Sequence, residues 1–144
     1  TLQLIAREAP ALRLGTVHLE KNLPVAAGIG GGSADAAAVM RAVQSANPQA
    51  GRDVDWTALA VRIGADVPVC LTSRLSWMSG LGERVTRLNL STPPAIPAVI
   101  VNPLVPVPTD KTAQVFRALR ASPLPENFAP ADLPEIRTEG DLLR

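Results

Sequence analysis

The chain of 144 residues carries 14 Lys and Arg against 13 Asp and Glu, a net charge of +1, and is 47% hydrophobic but only 3% aromatic. It is long enough to bury one core, and its balanced charge and scarce aromatics argue against nucleic acid as a partner, because neither a basic run nor a stacking platform is present. Its apolar runs are broken by Pro or charge short of a membrane span and no basic-then-apolar leader is visible, so a cytoplasmic chain with no membrane partner is expected.

Leu2, Ile5, Ala6 and Ala9 fall at helical spacing, and Pro10 ends that segment. Thr16 to Glu20 alternates polar and apolar side chains, which predicts a half-buried strand with His18 on its solvated face. The strand feeds a glycine loop. Four of the ten glycines lie between Gly28 and Gly32, where backbone without Cβ atoms can take positive φ and lie close to a ligand. From Ser33 the composition turns to Ala34, Ala36, Ala37, Ala38, Val39, Met40, Ala42 and Val43, a helix that Asn47-Pro48 stops. Glycines at a helix N-terminus expose free N–H groups to the positive end of the helix dipole, the arrangement that binds phosphate. Two familiar versions do not fit: Gly32-Ser33-Ala34 has no lysine where a Walker A loop needs one, and Ser33 replaces the third glycine of a dinucleotide fingerprint.

Beyond Pro48 a polar link containing Gly51 leads to Asp53 or Asp55 as N-cap of a helix whose apolar face is Trp56, Leu59, Ala60 and Ile63. Gly64 is expected to close that helix in the left-handed conformation, and Val67 to Leu71 to follow as an apolar strand, with the lone Cys70 buried and inert in it. Asp66 stands at the turn, either as a hydrogen-bond acceptor for nearby N–H groups or as a functional carboxylate. Trp77, Met78, Val85 and Leu88 around Ser79 to Glu83 predict a hairpin with a glycine turn. Pro93, Pro94 and Pro97 suggest a domain boundary near residue 91, followed by a buried strand at Ala98 to Val101 and a helix capped by Thr109 or Asp110 with Ala113, Phe116, Ala118 and Leu119 on its apolar side. The tail from Ser122 holds four further prolines and little periodicity.

Lys21-Asn22-Leu23-Pro24 and the loop after it resemble the second motif of the GHMP kinase superfamily, Pro-x-x-Ala/Ser-Gly-Leu-Gly-Gly/Ser-Gly/Ser-Ser. Three later blocks, Gly64 to Val69, Met78 to Glu83 and Asn102 to Thr109, resemble the branch of that superfamily that acts on an alcohol linked to cytidine diphosphate, so the likeness runs from roughly residue 16 to 120. It implies an α/β (α+β) fold in two domains: 1–90 as part of a ribosomal-S5-like N-terminal ATP-binding domain, and 91–144 as the start of a ferredoxin-like C-terminal domain. It also implies ATP and Mg²⁺ as cofactors and a small-molecule substrate, cytidine-diphosphate-linked methylerythritol. By match to the motif, Lys21, Pro24, Ala26, Ala27, Gly28, Ile29, Gly30, Gly31, Gly32, Ser33 and Ala34 surround the nucleotide. Ser33 touches the β-phosphate or Mg²⁺, or serves as the helix N-cap, and both can hold. Asp66 is the catalytic carboxylate that meets the substrate hydroxyl, and Thr109 and Phe116 border the cytidine.

The departures are specific. Ala26 and Ala34 replace a Gly and a Ser of the motif, small for small, and Phe116 follows Thr109 by seven residues where about four separate the family's pair. The superfamily's first and third motifs are not found, so an interior piece without turnover of its own is expected. Another GHMP small-molecule kinase, or a non-catalytic binding module of the same fold, are the rival readings.

Overall fold

The computed structural model describes residues 1–25, 27–88, 97, 99–101, 108, 110–120 and 122. Its elements in chain order are α1 (Leu2–Glu8), α2 (Gly31–Ala46), α3 (Trp56–Ile63), α4 (Val67–Thr72), β1 (Ser76–Ser79), β2 (Arg84–Arg87) and α5 (Lys111–Leu119), an α+β composition. The chain divides into two units, Thr1–Asn89 and Leu90–Arg144.

The first unit is built on α2. Its alanines favour helix, and Ala36, Ala37, Met40 and Val43 recur at the spacing that puts them on one buried face. That face meets α4 and α3, and α3 in turn meets α1. Ile5, Leu12, Leu59, Ala60 and Val67 complete the core. Ile5, Met40 and Val67 are sealed from solvent, each contributing about 1.5–3 kcal/mol by leaving water.

Polar ties fix the helix ends. The buried Asn47 at the end of α2 donates from Nδ2 to the carbonyls of Arg13 and Val43, both at 2.8 Å, and its Oδ1 accepts from the Arg13 N–H at 2.8 Å. One side chain thereby satisfies the last turn of α2 and pins the link from α1. The Asn47 carbonyl accepts from the Gly51 N–H at 2.9 Å, so close that a Cβ on Gly51 would lie 2.8 Å from it. At the start of α3, Asp55 is the N-cap, with Oδ1 accepting from the Ala58 N–H at 2.9 Å. Glu8 on α1 joins Arg62 on α3 at 3.0 Å, and the Arg62 and Arg7 guanidiniums hold its carboxyl down at about 2.

Four expectations are overturned. Val67 to Leu71 is helix α4, not a strand: Pro68 sits in the first turn, where its fixed φ suits a helix and its missing N–H has no intrahelical partner to lose. A five-residue apolar run has no period that separates a strand from a buried helix. Gly64 does not turn left-handed; its φ of 173° and ψ of 150° are extended backbone open to any residue, and the Val67 N–H closes the turn onto its carbonyl at 3.0 Å. Thr16 to Glu20 forms no strand and is exposed throughout. Alternation alone makes no strand without a neighbour to complete the ladder, and among the described residues only β1 and β2 pair. For the same reason Val99, Ile100 and Val101 are irregular and 71–90% exposed, not a buried strand.

The hairpin is as its pattern predicts, antiparallel with Trp77 opposite Thr86 and Met78 opposite Val85. Gly80 and Gly82 take φ of 69° and 100° in the turn. The Glu83 carboxylate accepts from the Leu81 N–H at 2.6 Å, and bonds from its own N–H and that of Leu81 hold its carboxyl below the usual carboxylate range. In the second unit α5 is an exposed helix with Asp110 at its N-cap position; the Asp110 carboxylate accepts from Gln114 Nε2 at 2.6 Å and pairs with Arg117 at 3.2 Å. Ala26, Thr109, the boundary near 91, Ala98, the block from Asn102 to Val107 and the tail beyond Ser122 lie outside the described residues. Among the described residues no helix is long and apolar enough to cross a membrane.

Candidate functional site

Gly28 and Gly30 both adopt the left-handed conformation, at φ 76° and 70°, which costs a glycine nothing and a side chain with Cβ about 1–2 kcal/mol. Gly30 is the N-cap of α2, and Gly31, Gly32 and Ser33 form its first turn. The N-cap role expected as one option for Ser33 is therefore corrected: the chain turns at Gly30, helical dihedrals begin at Gly31, and Ser33 is the third residue of the helix. The Ala34 N–H is the first to bond back, to the Gly30 carbonyl at 2.9 Å. The N–H groups of Gly31, Gly32 and Ser33 have no intrahelical acceptor and sit at the positive end of a sixteen-residue dipole.

These residues wall a cavity of about 370 Å³. Lys21, Pro24, Ala27, Gly28, Ile29, Gly30, Gly31, Gly32 and Ser33 all line it, together with Ile63 at the end of α3 and Val67 at the start of α4. Nine of the residues expected around a nucleotide thus converge on one space, and α3 and α4 form its apolar side. Ala34 faces elsewhere, into a groove with Arg41 and Cys70. Lys21 crosses from the extended segment to α2, where its Nζ pairs with the Asp35 carboxylate and lies 3.5 Å from where a Cβ on Gly31 would stand.

Asp66 is exposed at the N-cap position of α4, without a capping bond from its side chain. It neighbours Val67 in the cavity wall but is not itself among the lining residues. Its backbone is held from the hairpin side: Gly82 is buried so tightly against the Ala65 carbonyl that a Cβ there would lie 2.1 Å from the oxygen. Cys70, one turn on, is half-buried, and burial first, then the Asp66 charge, pushes its thiol up against the opposing pull of Arg41, so it is held protonated. Phe116 is 61% exposed on α5 in the second unit.

Three contributors are not singled out by pattern. Asp35 is hidden because its partner Lys21 is fourteen residues away, outside any helical spacing. Ile63 and Val67 read as core, and their position at facing helix ends is the only sign that they border a cavity.

A glycine cradle of unpaired N–H groups at a helix N-terminus, with a lysine across it, is an arrangement suited to receiving an anion such as phosphate. The GHMP kinases N terminal domain model matches residues 1–74, and the chain belongs to the GHMP kinase family. Curated relatives are named 4-diphosphocytidyl-2-C-methyl-D-erythritol kinase. One from Rhodopseudomonas palustris is 52% identical over 117 residues, covering 81% of this chain and 38% of the relative. One from a Bradyrhizobium strain is 49% identical over 121 residues, 84% of this chain and 38% of the relative. A third, from Methylobacterium radiotolerans, is 48% identical over 136 residues, 92% of this chain and 43% of the relative. The chain therefore spans about two fifths of the length of the relatives it matches. No solved structure matches it.

Proposed function

We propose that the intact protein carrying this chain transfers the γ-phosphoryl group of ATP to the 2-hydroxyl of 4-diphosphocytidyl-2-C-methyl-D-erythritol, a step in non-mevalonate isoprenoid precursor biosynthesis. The observation that carries this reading is the cavity in which the Gly28 to Ser33 cradle, Lys21 and Pro24 meet, in a chain about half identical to relatives of that name. Residues 1–90 then belong to an N-terminal ATP-binding domain of ribosomal-S5-like fold, and 91–144 begin a ferredoxin-like C-terminal domain.

Phosphoryl transfer is mainly a matter of positioning and of charge stabilisation. The free N–H groups of Gly31, Gly32 and Ser33 receive the phosphate oxygens, and Ile63 and Val67 supply a dry wall. The Ser33 hydroxyl would hold Mg²⁺ beside the phosphates, where the ion would supply charge neutralisation; a Mg²⁺ site of this kind needs only one or two protein ligands. Asp66 takes the proton from the substrate hydroxyl as its oxygen attacks the γ-phosphorus and the bond to the bridging oxygen breaks, releasing ADP. Thr109 and Phe116 border the cytidine.

The test is ADP release by the intact protein in a coupled assay with Mg²⁺, ATP and this substrate, with the phosphorylated product identified by mass. Turnover on a different small alcohol alone would assign the chain to another GHMP kinase. Absence of both turnover and nucleotide binding would leave a non-catalytic module.

A further inference from the structure

We infer, resting on the reading of the cradle as a triphosphate site, that Asp35 is a positioning residue for Lys21: it holds the lysine ammonium over the first turn of α2, where the phosphates bind. Lys21 comes from a stretch, Thr16 to Val25, that has no helix or strand and is exposed throughout, so its own backbone does little to aim a long, flexible side chain. Asp35 is fixed. It stands on α2 between the first turn and the buried Ala36, Ala37 and Met40, four residues beyond Gly31. Side chains on a helix lean toward its N-terminus, so a carboxylate at this position reaches back to the level of Gly31. There it meets Lys21 Nζ, beside the Gly31 backbone and at the wall of the cavity.

Charge supplies the reason to look for a role. An unpaired carboxylate one turn from an anion-binding helix end repels the anion it should admit, whereas the ion pair is neutral and leaves two ammonium hydrogens to give to phosphate. Both side chains are partly exposed, at 28% for Lys21 and 39% for Asp35, so the pair adds little to fold stability. Its consequence falls on nucleotide affinity.

The experiment is calorimetric titration of Mg²⁺-ATP into the intact protein, unsubstituted and as Asp35→Asn, Asp35→Glu, Lys21→Met and the double variant Lys21→Met with Asp35→Asn, with a melting temperature for each. Asp35→Asn should raise Kd about three- to tenfold at low salt and less at high salt. Lys21→Met should raise it at least as much. The double variant should bind no worse than Lys21→Met and somewhat better at low salt, because once the lysine is gone Asp35 has nothing to position and only repels the anion, and Asp35→Glu should bind as the unsubstituted protein does. Should Asn at 35 lower the melting temperature, Asp35→Glu and Lys21→Met decide, since the first must retain affinity and the second must lose it. An Asn variant that melts normally and binds as well as or better than the unsubstituted protein overturns the inference, as do losses that simply add in the double variant. An unsubstituted protein that binds no nucleotide overturns the triphosphate reading itself, a result distinct from either.

Discussion

Helices α1 to α4 and the segment from Gly15 to Gly30 put their large apolar side chains to opposite ends. The helices bury Ile5, Met40 and Val67 completely, while the segment leaves Val17, Leu19, Leu23 and Val25 between 47% and 83% exposed. A helix closes its own backbone hydrogen bonds and needs only one apolar stripe to dock; an extended segment must borrow partners for every N–H and carbonyl. The cradle lies at the join. Its floor is the first turn of α2, made rigid by the core behind it, and its other wall is the segment that carries Lys21 and Pro24. Rigid donors on one side and an adaptable wall on the other suit a ligand that enters and leaves.

The largest effect is expected where the packed part hands over to the chemistry. Asp66→Asn in the intact protein should lower kcat by roughly 10² to 10⁴ while nucleotide affinity and melting temperature stay close to those of the unsubstituted protein. A normal kcat with a lowered melting temperature would instead make Asp66 a structural acceptor for the start of α4. The next contrast tests the two regions directly. Met40→Ala should cost about 2–5 kcal/mol in denaturant unfolding, whereas Leu19→Ser in the exposed segment should stay within about 0.5 kcal/mol. Equal costs would mean the segment is packed after all. Asn47→Ala leaves the Arg13 N–H and the carbonyls of Arg13 and Val43 without their bonds and should cost about 1–3 kcal/mol, read from the same unfolding curves.

Smallest is the acid response of the tie between α1 and α3. Because Arg62 and Arg7 hold the Glu8 carboxyl at about 2, below its ordinary 4.5, its contribution is complete above about 4.5 and is lost as pH falls through about 2. Glu8→Gln should therefore flatten the stability profile in that window through a small loss at neutral pH that vanishes as pH falls toward 2; an unaltered profile would show the pair to be idle.

How much the sequence disclosed follows the same division. α1, α2, α3 and α5 carry apolar residues at helical spacing between stop signals, and the hairpin carries two glycines between alternating runs, so each could be placed from pattern alone. Val67 to Leu71 reads as a strand because its five apolar residues have no period, and the sign that decides for helix is Pro68, whose first-turn preference belongs to helices. Thr16 to Glu20 departs from its pattern for the opposite reason: its alternation is real, but no described strand pairs with it. In the site, the glycines declare themselves by density, whereas Ile63 and Val67 join the cavity, and Asp35 the lysine in its wall, only through tertiary contacts that no local spacing records. Even within the glycines the helix starts two residues before Ser33, because the left-handed turn at Gly30 sets Gly31 and Gly32, poor helix formers, into helical backbone.

The central claim is that the first turn of α2 binds the triphosphate, and Gly30→Val tests it most directly. A Cβ at Gly30 meets nothing within 4 Å, so the substitution crowds no neighbour, but its φ of +70° is one that a β-branched residue resists. The turn must shift, and the three free N–H groups with it. Calorimetric titration of Mg²⁺-ATP into the intact protein should show Kd raised about tenfold or more in the variant, with the melting temperature lowered by only a few degrees at about 1–3 kcal/mol of local strain. Unchanged ATP affinity in a folded Gly30→Val protein would contradict the account.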